Sequence, residues 1–271
     1  MRKFLCFIAA ILTSAPAFAG ETTPLRSLDT LDASRQWQAV GRLNMGESGF
    51  CTGALIAPDL VLTAAHCLFD HETRQLVAPD QIEFLAGWRG GRATAHRMAA
   101  QVIVHPAYHF QGLDNIDGVA SDIALVQLSQ PIHHPGVKPF ETVSPQFLAQ
   151  SLQVVSYAKD RSDAPSIQSS CEILARDSAI YVTSCQVDSG ASGAPVFVVE
   201  DGVARIMSVV SAKAEWNARE VSLMTGLNNR LNVLTDAMAQ ADALREPTSS
   251  LTKLQETTRI AQAPNPRFIR P

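Results

Sequence analysis

The sequence predicts an all-β protein made of antiparallel barrels, with one helix near its C-terminal end. Three observations carry that expectation. From Trp37 onward, short apolar runs are broken by turn residues about every ten positions. No helical pattern separates these runs, which argues against a parallel α/β sheet. Setting aside a 19-residue leader leaves 252 of the 271 residues, which fits one large all-β unit or two barrels of roughly 100 residues each.

The leader is residues 1–19. Arg2 and Lys3 precede an apolar run from Phe4 to Leu12, and Ala17-Phe18-Ala19 supplies the small-x-small pattern of a signal-peptide cleavage site. Export is therefore expected, to the periplasm or the medium. That run is too short to span a bilayer, and no later stretch approaches about 18 apolar residues, so no stable membrane anchor is expected. Residues 20–34 are polar without clear periodicity and read as a leader or arm. The first barrel is assigned to residues 35–135. Its strands are expected at Trp37 to Leu43, Gly53 to Ile56, Leu60 to Thr63, Gln81 to Leu85, Gln101 to Val104 and Ile123 to Leu128. A crossing rich in Pro and His, Pro131 to Pro139, leads into the second barrel, residues 136–228. There the runs are Leu152 to Tyr157, Ile180 to Thr183, Ala194 to Val199 and Ala204 to Val210. Glu200-Asp201-Gly202 between the last two is a hairpin turn, because Asp and Gly both tolerate positive φ. Leu227, Leu231, Leu234, Met238 and Ala241 recur at helical steps and mark a helix over 229–245, ended by Pro247. Residues 246–271, rich in Pro, Thr, Ser and Gln, show no core pattern and read as a disordered tail.

Charge and cysteine usage narrow the class. The balance is 22 basic against 26 acidic residues, net −4, with no basic cluster in the body of the chain. That argues against a nucleic-acid partner. Apart from Cys6, inside the leader's apolar run, the cysteines are Cys51, Cys67, Cys171 and Cys185. Four cysteines allow three pairings, and the sequence leaves the choice open. With no CxxC spacing, disulfides fit better than a metal site, in keeping with export.

Three segments carry candidate chemistry. Leu62-Thr63-Ala64-Ala65-His66-Cys67 closes an apolar strand on a histidine, with small alanines leaving room for the imidazole. The competing reading for His66 is a buried structural histidine. Ser121-Asp122-Ile123-Ala124-Leu125 sets an aspartate at the head of an apolar strand, a place that a plain turn residue also occupies. Asp114 and Asp117 are the fallback carboxylates. Asp188-Ser189-Gly190-Ala191-Ser192-Gly193-Ala194-Pro195 holds a serine between glycines that permit a tight turn. Ser189 is the rival nucleophile. Hydroxyl, imidazole and carboxylate together are the set that nucleophilic acyl transfer needs.

These motifs resemble those of the trypsin-like, chymotrypsin-fold serine peptidase family, with its bacterial exported branch the nearest in character. Ala-Ala-His-Cys, Asp-Ile-Ala-Leu and Gly-x-Ser-Gly-x-Pro all have counterparts there. The likeness extends over roughly residues 37–240, and Val104-His105-Pro106-Ala107-Tyr108 looks like the family's loop ahead of its aspartate, with His105 a loop residue. The order His66, Asp122, Ser192 is the family's; α/β-hydrolases and subtilisins run differently. The resemblance implies two antiparallel six-stranded β-barrels with an active site between them, and a triad of His66, Asp122 and Ser192. It also implies an oxyanion hole from the Gly190 and Ser192 N–H groups, disulfides Cys51–Cys67 and Cys171–Cys185, a protein or peptide substrate, and no cofactor or metal. A monomer is expected. A catalytically silent binding or adhesion module on the same fold is the alternative.

The chain departs from the family in two places. Where trypsin has an aspartate just before the nucleophile, Ala191 stands here, and no Arg-Ile-Val-Gly-Gly stretch precedes the first barrel. Activation through a buried terminal ammonium at that position is therefore not expected. Six residues before Ser192, at trypsin's pocket aspartate, is Gln186, which gives no basis for Arg or Lys preference. Gln186, Ser211 and Lys213 are the candidate substrate-pocket residues. Lys213 is either a cation that draws an acidic side chain or a solvated loop lysine.

Overall fold

The computed structural model describes residues 22–46, 49–112, 118–144 and 151–245. The leader, the tail after 245, Asp114 and Asp117 lie outside the described residues. The chain enters through a short strand, β1 (Arg26–Ser27), one helical turn, α1 (Leu31–Ser34), and a 3-10 turn at Arg35–Trp37. The Thr30 hydroxyl caps α1 by accepting the Ala33 N–H. Six strands follow: β2 (Val40–Met45), β3 (Phe50–Ala57), β4 (Leu60–Thr63), β5 (Ile82–Ala86), β6 (Ala95–Val104) and β7 (Ala124–Leu128). They close into a barrel in the order β2-β3-β4-β7-β6-β5.

The second half holds β8 (Leu152–Ala158), β9 (Arg161–Cys171), β10 (Ile173–Asp177), β11 (Ile180–Thr183), β12 (Pro195–Glu200), β13 (Val203–Trp216) and β14 (Arg219–Gly226). With β1 they form an eight-stranded antiparallel sheet, β1-β9-β8-β12-β13-β14-β11-β10. Six strands make its body; β1 and β10 are short additions at the edges. A final helix, α2 (Arg230–Arg245), follows.

The two halves repeat one topology. With β8, β9, β11, β12, β13 and β14 set against β2 to β7 in order, strand pairings 1–2, 1–4, 4–5, 5–6 and 3–6 occur in both. The 2–3 pairing closes the first barrel. Among the described residues no ladder joins β9 to β11. That junction is bridged instead by the Cys171–Cys185 disulfide and by Ser184, whose N–H donates to the Glu172 carbonyl and whose hydroxyl accepts the Glu172 N–H. The Cys51–Cys67 disulfide occupies the matching place in the first half, joining β3 to the turn after β4.

Apolar burial explains the assembly. Each half has its own core, and a third layer forms the seam. In the seam, Val40, Ala54, Leu62 and Leu125 interlock with Val155, Tyr157, Phe197 and Val209. Leu227, Leu234 and Met238 join it from the C-terminal end, so α2 buries the face that its leucine spacing marks. Trp37 sits in a 3-10 turn rather than starting a strand. Its indole lies 5.0 Å from the Phe197 ring and 6.0 Å from Phe140, and that packing sets the local path before β2 begins at Val40. The Asp201-Gly202 hairpin turn forms as the residue types require, with φ of 52° and 77°.

Candidate active site

A cleft runs between the halves. Its main cavity, about 430 Å³, is walled by His66, Tyr108, Val119 and Asp122 from the first half and by Asp188, Ser189, Ser192, Ser211 and Lys213 from the second.

His66 lies in the 3-10 turn Ala65–Leu68 that follows β4. Cys67 is bonded to Cys51 on β3, which pins this turn to the barrel. Asp122 caps the 3-10 turn Val119–Ser121. That turn is held from the other half: the Thr225 hydroxyl donates to the Val119 carbonyl at 2.6 Å, and Arg230 Nε donates to the Ala120 carbonyl. Asp122 grips His66 at two points. Its Oδ1 accepts the His66 backbone N–H at 2.8 Å, and its Oδ2 accepts the ring Nδ1–H at 2.7 Å. Oδ2 also accepts the Ser211 hydroxyl. Both partners are buried, with 10% and 4% of their side chains exposed.

This environment sets the imidazole's affinity for protons. Burial pulls the His66 pKa down, but the adjacent Asp122 charge and hydrogen bond outweigh it, and the net direction is above the ordinary 6.5. Because Nδ1 is committed to Asp122, Nε2 is the nitrogen left to exchange a proton. Burial, and then the Asp122 charge, hold the Tyr108 phenol far above its usual range, so it is a neutral hydroxyl on the cleft wall.

Ser192 is half-buried on the segment between β11 and β12. Its segment is fixed by two bonds from Thr52 across the seam and one from within the second half. The Ser192 carbonyl accepts the Thr52 N–H at 2.9 Å, the Gly190 carbonyl accepts the Thr52 hydroxyl at 2.8 Å, and the Gly193 N–H donates to the Val210 carbonyl at 2.8 Å. Gly190 has φ +96°, and a Cβ there would strike the Phe50 ring at 2.5 Å. Among the described residues the Gly190 and Ser192 N–H groups have no hydrogen-bond partner, whereas those of Ala191, Gly193 and Ala194 are bound. Imidazole and hydroxyl face one cavity; among the described residues no hydrogen bond yet joins them. Hydrogen bonds of this kind often tighten only when substrate is present.

The other sequence candidates fall as follows. Ser189 faces the same cavity, and its carbonyl is tied to Lys159 N–H. His105 is a turn residue: its Nδ1 accepts the Ala107 N–H and its carbonyl accepts the Tyr108 N–H. Ser211 and Lys213 line the main cavity, whereas Gln186 lines an adjoining one of about 410 Å³ beside Leu25, Ser184 and Glu220. Lys213 is half-exposed and ion-paired with Glu220 at 3.1 Å and Asp188 at 3.7 Å. Cys51, His66 and Cys67 bring two sulfurs and a ring nitrogen within 4.8 Å of one another, but the disulfide leaves no thiolate for a metal. Sequence reasoning missed the role of Ser211 as a donor to Asp122 and that of Thr52 as the clamp on the serine loop. Both are long-range contacts with no local signature.

Fold and cleft define a β protein of one closed six-stranded barrel and a second antiparallel sheet, with a buried carboxylate–imidazole pair lining one cavity with a glycine-flanked serine. The trypsin family model matches residues 29–225, and the chain belongs to that family. A trypsin of Sarcophaga bullata is 30% identical over 47% of this chain and 48% of its own length. Kallikrein-11 of Mus musculus is 32% identical over 55% of this chain and 50% of its own length. The chain thus spans about half the length of these relatives. The structure of a Glu endopeptidase in complex with MPD superposes with a TM-score of 0.64, at 17% identity, covering 81% of this chain and 98% of that one. At that identity the likeness is one of fold. Two disulfides fit an exported protein, and among the described residues no helix is long and apolar enough to cross a membrane.

Proposed function

We propose that the chain is an exported serine endopeptidase, periplasmic or secreted, that cleaves peptide bonds of protein or peptide substrates through an acyl-enzyme on Ser192. The observation that carries this reading is the two-point grip of Asp122 on His66 inside a cleft shared with Ser192. In the proposed cycle, His66 Nε2 takes the Ser192 proton as the oxygen attacks the carbonyl carbon. It then delivers that proton to the departing amine and activates the water that frees the acyl group. Asp122 keeps the ring in the tautomer that accepts at Nε2 and stabilises its charged form. The free N–H groups of Gly190 and Ser192 receive the oxyanion. Family membership and the basic-imidazole environment support this assignment.

The test is covalent labelling of the intact protein with a fluorophosphonate, followed by peptide mapping. The expected result is one adduct on Ser192, absent in Ser192→Ala, alongside cleavage of a denatured protein substrate that the same substitution abolishes. No adduct and no cleavage would favour a silent binding module on the same fold.

A further inference from the structure

Gln168 is fully buried on β9, and its carboxamide joins two segments far apart in sequence. Nε2 donates to the Thr23 carbonyl at 2.8 Å, and Oε1 accepts the Gln186 N–H at 2.7 Å. The amide orientation follows from those partners, a carbonyl on one side and an N–H on the other. Thr23 belongs to a strap, residues 22–28, lying antiparallel on β9. Thr23 exchanges bonds with Ser170, the Leu28 N–H donates to the Pro165 carbonyl, and Arg26 and Ser27 pair with Ile167 and Ser166. The Leu28 side chain is fully buried in the seam layer. Gln186 opens the segment that ends at Ser192. The residue before that serine is Ala191, so no carboxylate tethers the loop there.

We propose that Gln168 is a positioning residue, coupling the docking of residues 22–28 to the shape of the 186–192 loop. When the strap is docked, Nε2 is satisfied and Oε1 stands where it holds the Gln186 N–H. When the strap lifts, a buried donor loses its acceptor, and the carboxamide no longer has two fixed ends. The loop then loses its first tie and keeps those at Ser189, Gly190, Ser192 and Gly193. The effect on catalysis rests on the reading of Ser192 as nucleophile; the mechanical coupling does not.

Two full-chain variants test it. Thr23→Pro removes the N–H and hydroxyl that bind Ser170, while Gln168→Glu, assayed at a pH where its carboxyl is ionised, leaves only acceptors facing the Thr23 carbonyl. Amide hydrogen exchange of residues 186–192 reads the coupling directly, and the fluorophosphonate reaction is resolved into its saturation constant and its maximal rate. Each variant is expected to speed exchange across 186–192 about ten-fold and to slow maximal labelling by a similar factor, the size that one unpaired buried donor imposes. The saturation constant should change little, and the double variant should be no worse than the stronger single one. A strap that opens in Thr23→Pro with 186–192 exchange unchanged overturns the proposal, as do additive effects in the double variant. If Gln168→Glu does not fold, Thr23→Pro decides alone. If the parent protein takes no label yet exchange is coupled, the coupling stands and the catalytic assignment falls.

Discussion

Gly193→Ala tests how closely the two halves approach beside Ser192. Gly193 has φ +75°, and a Cβ there would lie 2.8 Å from Ala64 N, and nearer still to the Thr63 hydroxyl and the Thr52 carbonyl. Two of those atoms are backbone of the first barrel, so no side-chain rotation relieves the clash. The left-handed backbone costs a non-glycine residue about 1–2 kcal/mol. Forcing the seam apart adds roughly 1–3 kcal/mol, and disturbing the Thr63-to-Thr52 hydrogen bond, 2.9 Å long, adds about 1 kcal/mol. The total, roughly 3–6 kcal/mol, is a large share of a domain's usual 5–15 kcal/mol. Gly202→Ala is the control: its φ is +77°, but a Cβ there meets nothing within 4 Å. Guanidinium unfolding midpoints should show Gly193→Ala displaced by about 1 M, several times the shift of Gly202→Ala. Equal shifts for the two would mean that the seam is not closely packed at Gly193, and the reasoning would fail.

Three further expectations follow from the cleft. The acid limb of the pH–activity profile should lie above 6.5, because Asp122 holds the His66 pKa up. In Asp122→Asn the opposing charge is gone and burial, the largest influence, dominates, so the limb should move below 6.5 and the rate should fall about 10⁴-fold; a limb that stays in place would remove Asp122 from the assignment. The stability linkage should reverse with it. In the parent, the His66 contribution is full below pH 6.5 and is lost as pH climbs through the raised folded value. In the variant, it is present above 6.5 and is lost as pH falls through the depressed one. Ser211→Ala deprives the buried carboxylate of a donor, which should cost about 1–3 kcal/mol of stability and lower kcat/KM roughly ten-fold. Replacing Cys51 and Cys67 together by serine should lower stability by about 3 kcal/mol for the short loop they close. It should also slow Ser192 labelling, whereas an unchanged labelling rate would show that the His66 turn holds without its clamp.

How much of this was legible in the sequence depended on where polar groups are satisfied. Strands with apolar cores, such as Gly53 to Ile56 and Ala204 to Val210, announced themselves. β9 did not, because its buried residues include Ser166 and Gln168, and Pro165 interrupts its pattern. β14 hides likewise: Ser222 bonds the Thr183 hydroxyl and the Cys185 carbonyl, while Thr225 reaches Val119. Such residues look solvent-facing until their partners, dozens of positions away, are known. The arm at 20–34 read as polar because, among its described residues, Leu28 is the single fully buried apolar side chain, and its hold on β9 is made of backbone bonds, hydroxyl bonds and the Gln168 carboxamide. The three site motifs stood out because each is local, a turn whose small neighbours are demanded by close packing. Ser211, Thr52 and Arg230, which hold those motifs, act across 89, 138 and 110 residues.

The repeated topology accounts for the order of the candidate site residues along the chain. In each half, the connection after the third strand leaves the sheet beside a disulfide that ties it to the second strand. His66 lies on that connection in the first half, and Ser192 lies on it in the second. The connection in the same topological place thus carries an imidazole in one half and a hydroxyl in the other. The connection between the fifth and sixth strands breaks the symmetry. In the second half it is a tight hairpin through Asn217 and Ala218, both at positive φ, with no length to reach anything. In the first half it runs from Val104 to Ala124, long enough to bring Asp122 back beneath His66. Histidine, aspartate, serine is then the sequence order that this doubled topology imposes when the long connection sits in the first half.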